Sequence, residues 1–182
     1  MYLIKDYNNV YEYTLRDKEI IGLKFSKTPK NFIFKLVKKE KDVRLYVEQD
    51  KSKSAEYYKH LLAKYFSSPK LKDLLIKEFE GIDLELYGYV DKDVYIMDIC
   101  INNKYIYQDH LNELAKIYEF NVLPEIFRGK YDVDKIEKIT EQMIIKSRWE
   151  ELTDTTGNYK DRYIILKEEE KVEVEKNNDE SK

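Results

Sequence analysis

Apolar and polar residues alternate through Asn31-Phe32-Ile33-Phe34-Lys35-Leu36-Val37 and again through Val43-Arg44-Leu45-Tyr46-Val47, with the charged run 38–42 between them. A period of two on either side of a polar turn predicts a β-hairpin. After Ser54 the period changes. Tyr57, Tyr58, Leu61, Leu62, Tyr65 and Phe66 recur at helical spacing behind a serine suited to an N-cap, and a second stripe, Leu71, Leu74, Leu75 and Phe79, follows the break at Ser67-Ser68-Pro69. Segments 82–90 and 94–101 are rich in Tyr, Ile and Leu around Asp91-Lys92-Asp93, a turn composition, and read as two central strands. Helical stripes follow over 109–120 and 132–142, each opening on an aspartate, with an extended link over 121–126 and a turn at Arg128-Gly129-Lys130 between them. Met143-Ile144-Ile145 and Tyr163-Ile164-Ile165-Leu166 read as short strands. The order predicts an α+β fold, antiparallel sheets with packed helices.

Composition narrows the picture. The 182 residues, 42% hydrophobic and 14% aromatic, suffice for one sizeable core, so a single domain is expected over 1–167, with the charged stretch 168–182 as a disordered tail. A net charge of -3 gives no global attraction to a polyanion, so nucleic acid would have to be met by a local basic patch. One cysteine, Cys100, and two histidines, His60 and His110, exclude an intramolecular disulfide framework and a Cys/His zinc cluster, and point to a reducing, cytoplasmic setting. No apolar run approaches the roughly 20 residues of a membrane span. Neither glycine-rich phosphate-loop pattern occurs.

Four segments place a carboxylate or a lysine among apolar strand residues. They are Leu84-Glu85-Leu86-Tyr87-Gly88, Tyr95-Ile96-Met97-Asp98-Ile99, Glu141-Gln142-Met143-Ile144-Ile145-Lys146 and Arg162-Tyr163-Ile164-Ile165-Leu166-Lys167. Taken singly, each reads as the solvent face of a sheet. Their order is more informative, because in that order they resemble the motifs of covalent nucleotidyltransferases, and among these the ATP-dependent RNA ligases. The first is similar to a Gly-Glu-apolar-x-Gly motif and the second to the strand ending Phe-Asp-Ile. The third is similar to Glu-Gly-x-Val-x-Lys and the fourth to the closing lysine motif. The link from Phe120-Asn121-Val122-Leu123-Pro124 to Arg128-Gly129-Lys130 also resembles that family's passage from a helix to a Gly-Lys turn.

The resemblance implies a nucleotidyltransferase (ATP-grasp-like) core, ATP and Mg²⁺ as cofactors, and RNA ends as partners. It implies that Glu85 contacts the nucleotide sugar, Met97 takes the place of the phenylalanine that stacks on adenine, Glu141 organises the metal, Lys146 supports the phosphate site and Lys167 meets the α-phosphate. The implied activity joins 5′-phosphate and 3′-hydroxyl ends through a lysyl-AMP intermediate. These residue types suit that chemistry, which needs an activated lysine, cations against a phosphorus gaining negative charge, and one or two carboxylates for a hard cation.

The pattern also departs from the family's. No Lys-x-Asp-Gly occurs, and Lys27, just before the hairpin, and Lys18, four residues before Gly22, compete as nucleophile. Leu84 and Gln142 stand where glycines are usual, and Lys167 alone remains of an expected lysine pair. The alternative is a catalytically inactive, ligase-like protein that binds nucleotide, RNA ends or a protein partner. A further expectation concerns Lys24, Lys27, Lys30, Lys35, Lys38, Lys39, Lys41 and Arg44, which form either a basic strip interleaved with Phe25, Phe32 and Phe34 or an ordinary charged hairpin with its aromatics in the core.

Overall fold

The computed structural model describes residues 4–6, 15, 18–25, 33–48, 53–90, 92–147, 152–153, 160–161 and 163–167. Lys27 and the expected tail 168–182 lie outside them. The elements run β1 (Ile4–Asp6), β2 (Glu19–Lys24), β3 (Ile33–Lys39), β4 (Asp42–Glu48), α1 (Lys53–Phe66), α2 (Pro69–Asp73), β5 (Leu84–Val90), β6 (Val94–Ile101), β7 (Lys104–Tyr105), α3 (Gln108–Tyr118), β8 (Glu125–Lys130), α4 (Val133–Glu137), β9 (Met143–Ser147), β10 (Leu152–Thr153), β11 (Lys160–Asp161) and β12 (Tyr163–Lys167). A π-helical turn, Leu74–Glu78, continues α2 and is closed by the Phe79 N–H donating to Leu74 O at 3.2 Å. None of the described helices is long and apolar enough to cross a membrane.

Two five-stranded sheets carry the fold. One has the order β4-β3-β5-β6-β7 and is antiparallel throughout; the other has the order β1-β12-β9-β2-β8 and is antiparallel except for the β1–β12 pair. Alternation along β5 explains how the sheets stack. Leu84, Leu86 and Val90 face α1, α2 and α3 in a core with Phe34, Leu36, Leu62, Leu74 and Leu111. Tyr89 faces the other way, into a core shared with Ile21 and Leu23 of β2 and Ile144 of β9. The opposite side of β2 and β9 packs Ile20, Met143 and Ile145 against Ile136 of α4. The layers are therefore helices, sheet, sheet, helix, the kind of stacking by which two-faced sheets bury both sides.

Gly88 allows the first two layers to close. A Cβ there would lie 2.3 Å from Tyr95 O and 2.3 Å from the Phe34 ring, so a side chain would displace backbone as well as core. The turn expected at 38–42 is narrower in the structure, because β3 runs through Lys39 and only Glu40 and Lys41 form the turn. Helix 132–142 is shortened to α4, and residues 138–142 lead from it without regular structure into β9. Arg128-Gly129-Lys130, expected as a turn, completes β8 opposite β2, with Gly129 at φ 144°, a backbone region that favours glycine.

Candidate functional site

The inter-sheet face of the first sheet is built in cross-strand rows. Lys35, Tyr87 and Asp98 stand directly opposite one another on β3, β5 and β6, and Val37, Glu85 and Cys100 form the next row. A register shift between Tyr87 and Gly88 leaves Met97 as an extra residue on β6. Its consequence is local and decisive. Ile96 and Ile99 both face the helix-backed core, while the consecutive residues Met97 and Asp98 both turn toward the second sheet.

Across the gap, Ile144 and Lys146 are the β9 residues of the same parity, and Tyr163 on β12 lies opposite Lys146. Lys146 is 0% exposed and donates from Nζ to Met97 O at 2.8 Å and to Asp98 Oδ1 at 3.2 Å. The Tyr163 hydroxyl donates to Asp98 Oδ2. Both carboxylate oxygens thus have a donor, which is the condition under which a charge can be buried. The residues meeting here are 48 and 65 positions apart in the chain.

Glu85 lies one row away with a separate set of partners. Its carboxylate, 41% exposed, accepts from the Tyr87 hydroxyl and has Lys35 Nζ at 3.5 Å, while that ammonium also sits 5.9 Å from the centre of the Tyr87 ring. Burial first, and then the adjoining Glu85 carboxylate, push the Tyr87 phenol well above its ordinary range. Glu141 is elsewhere, just before β9 at the end of β2, where Lys24 Nζ donates to it at 3.2 Å between two half-exposed side chains.

Of the residues singled out from the sequence, the structure brings Met97 and Lys146 together between the sheets. Glu85 borders that place, and Glu141 has a different partner. Lys167 pairs through its backbone with Met143, along β12 from Tyr163. Lys18 precedes β2 at the end remote from Lys24, its carbonyl accepting from Tyr131 N at 2.9 Å; a strand of this length separates the two lysines by about 20 Å. Lys27, Lys30 and Phe32 of the basic strip lie outside the described residues, and the pleat divides the described part. Lys35 faces the second sheet, Lys38 faces the helices, and Phe25 and Phe34 are core residues.

Sequence reasoning did not single out Asp98 and Tyr163 as site residues. A signal for Asp98 was present, because a lone acid inside the eight-residue apolar run Val94–Ile101 needs a buried partner. Nothing local marks Tyr163, whose role depends on pairing across β9. Cys100, expected as a small buried hydrophobe, is buried beside Tyr87 and Tyr105. Among the described residues no group of three or more His, Cys, Asp or Glu could hold a metal ion. One or two of the available carboxylates, completed by phosphate oxygens and water, still suit a hard cation such as Mg²⁺.

No protein-family model matches the chain, and no curated protein sequence matches it. Solved structures do. A Naegleria gruberi RNA ligase variant with ATP and Mn superposes with a TM-score of 0.56 at 11% identity, over 87% of this chain and 52% of the ligase. An apo variant of that ligase gives 0.55 at 10% identity over 88% and 55%, and a variant with AMP and Mn gives 0.53 at 11% over 90% and 56%. The chain has the α+β nucleotidyltransferase fold of RNA ligases and spans about half the length of the ligases it matches.

Proposed function

We propose that this chain is the nucleotide-handling core of an ATP-dependent, RNA-ligase-like adenylyltransferase. The observation that supports this reading is the convergence, on a fold shared with RNA ligases, of three of the four motif segments at Asp98, Lys146 and Tyr163. In the proposed reaction a deprotonated lysine amine, from Lys27 or Lys18, attacks the α-phosphorus of ATP. The N–P bond forms as the bond to the β-phosphate oxygen breaks and pyrophosphate leaves. A 5′-phosphate oxygen of an RNA end then takes the AMP and releases the lysine, and a 3′-hydroxyl attacks the activated 5′ phosphorus, releasing AMP.

The donor set fits such a ligand. Glu85 offers a half-exposed carboxylate to sugar hydroxyls, and Lys146, once released from Met97 and Asp98, brings positive charge for the phosphates, the part the motif resemblance also gives Lys167. Glu141 is an accessible oxygen ligand for a divalent cation, which when bound would neutralise phosphate charge. Two of the structural neighbours were determined with ATP or AMP together with Mn, which supports the same class of ligand here.

One observation favours the second reading, a ligase-like protein that binds without catalysis. Lys146 spends two hydrogen bonds on Met97 and Asp98, and Met97 is only 2% exposed, so neither meets a ligand without rearrangement between the sheets. Incubation of the chain with α-labelled ATP and Mg²⁺ or Mn²⁺ separates the readings. Adenylylation predicts a covalent adduct, lost on substituting one of the candidate lysines. Saturable nucleotide binding without an adduct selects the second reading, and absence of both binding and adduct in the folded chain overturns both.

A further inference from the structure

The helix-backed side of the first sheet contains a groove that the proposed chemistry does not use. Its cavity of about 890 Å³ runs between the tip of the β3–β4 hairpin and the α1 to α2 corner, and its apolar walls come from Val43, Leu45, Phe66, Leu75 and Ile76. That volume falls in the range of sites that take small ligands, roughly 300 to 1,000 Å³. Ile76 is 63% exposed and Val43 is also exposed, so an apolar wall of the groove faces solvent.

Lys38 lines this groove and is 3% exposed. The pleat of β3 turns it, with Phe34 and Leu36, toward the helices, and its Nζ donates to Leu75 O at 2.8 Å and to Phe79 O. An ammonium has three N–H groups, so one donor remains beyond those two bonds. The other charged lining residues are Glu40, Lys41, Lys72, Glu80 and Asp83, all exposed, and Asp83 Oδ1 already accepts the backbone N–H of Glu40 at 2.8 Å. Three acids and two lysines on the rim give no field that would draw a polyanion, and they disfavour an acidic peptide. The single desolvated cation beside apolar walls selects a ligand with one anionic head and an apolar body.

We propose that this groove is a binding site for a small amphiphilic carboxylate, an acyl chain whose head group takes the remaining N–H of Lys38 and whose tail lies along Val43, Leu45, Leu75 and Ile76. The site lies on the face of the sheet opposite Glu85 and Asp98, so it is separate from the nucleotide-handling face and does not depend on that reading.

Decanoate, titrated into the full chain below its aggregation range and followed by backbone amide NMR, tests the proposal. The expected result is saturable shifts confined to residues 38–45, 63–67 and 72–83. Decanol, with the same tail and a neutral head, should bind about tenfold more weakly, the scale of one charge-assisted hydrogen bond. Ile76→Glu, which changes an exposed wall residue outside the core, should weaken decanoate at least tenfold, and Lys38→Met should abolish the preference for decanoate over decanol. Absence of saturable shifts at submillimolar decanoate, equal binding by Ile76→Glu, or equal binding of decanol and decanoate would each overturn the assignment, whether or not Lys38→Met folds.

Discussion

Among the described residues, each face of the first sheet is served by one buried lysine, and the two are held in different ways. Between the sheets, Lys146 is neutralised by a carboxylate whose second oxygen is bonded by Tyr163. Against the helices, Lys38 is held by two backbone carbonyls where the π-helical turn ends, with Asp83 nearby. The first is a closed ion pair in which every partner depends on the others. The second leaves a positive charge in largely apolar surroundings, compensated by dipoles. The contrast teaches that a buried lysine marks a site only when its charge has not been fully taken up by the protein. On that criterion the helix side is the more available to a small anion, and the inter-sheet side must open before it can receive one.

The largest effect should come from breaking the closed pair. Lys146→Met leaves Asp98 charged and buried without its ammonium partner, and should cost about 3 to 5 kcal/mol in urea unfolding. Lys146→Met combined with Asp98→Leu should recover most of that loss, because an apolar pair of similar volume removes both desolvation costs. If the single change is harmless, the pair is not closed and the contrast between the two lysines fails. Tyr163→Phe removes one hydrogen bond to the same carboxylate and should cost less, about 1.5 to 3 kcal/mol.

Much of this arrangement was legible in the sequence, and the illegible parts have identifiable causes. The β3–β4 hairpin and the β5–β6 pair follow from apolar alternation, because each residue's face is fixed by its parity. Lys38 was hidden by the same rule. It opens the charged run 38–42 and reads as part of a turn, yet β3 continues past it and parity sends it inward. The face that Asp98 takes was hidden by the opposite failure. The extra residue at Met97 breaks the parity of β6, and a bulge leaves no mark in a run of apolar residues. Strand β8 was read as a link and a turn because Pro124 and Gly129 punctuate it, whereas its pairing with β2 is non-local. The motif order did identify the fold, which TM-scores of 0.53 to 0.56 against RNA ligases support at 10 to 11% identity. The same order could not say which side chains would meet, since Glu85 and Glu141 acquired separate lysine partners through contacts outside the motifs.

Removing the second lysine should cost less than removing the first. Lys38→Met deletes the ammonium and its desolvation cost together, and leaves the carbonyls of Leu75 and Phe79 without that donor. The expected loss is about 1 to 2 kcal/mol, with the opening detected first in hydrogen exchange at the amides of 74–79. A loss as large as that of Lys146→Met would mean that the π-helical turn depends on Lys38 as fully as Asp98 depends on Lys146, and the distinction between the two faces would collapse.

The smallest effect is a pH dependence, and its sign is fixed by burial. Desolvation draws the Lys38 ammonium below the ordinary lysine value of 10.5, and Asp83 offsets part of that shift. The unfolded chain therefore binds this proton more tightly than the folded one. While both states are protonated, the folded protein carries the full desolvation cost. As pH rises through the lowered folded value toward 10.5, the folded state loses the proton first, and the stability contributed by this group increases. The difference in unfolding free energy between the native chain and Lys38→Met, measured from neutral pH to about 10.5, should shift in favour of the native chain. Alkaline destabilisation common to both cancels in that difference. A difference that stays flat or moves the other way would mean that the two carbonyls and Asp83 stabilise the ammonium fully, and Lys38 would then have no unmet charge to offer a ligand in the groove.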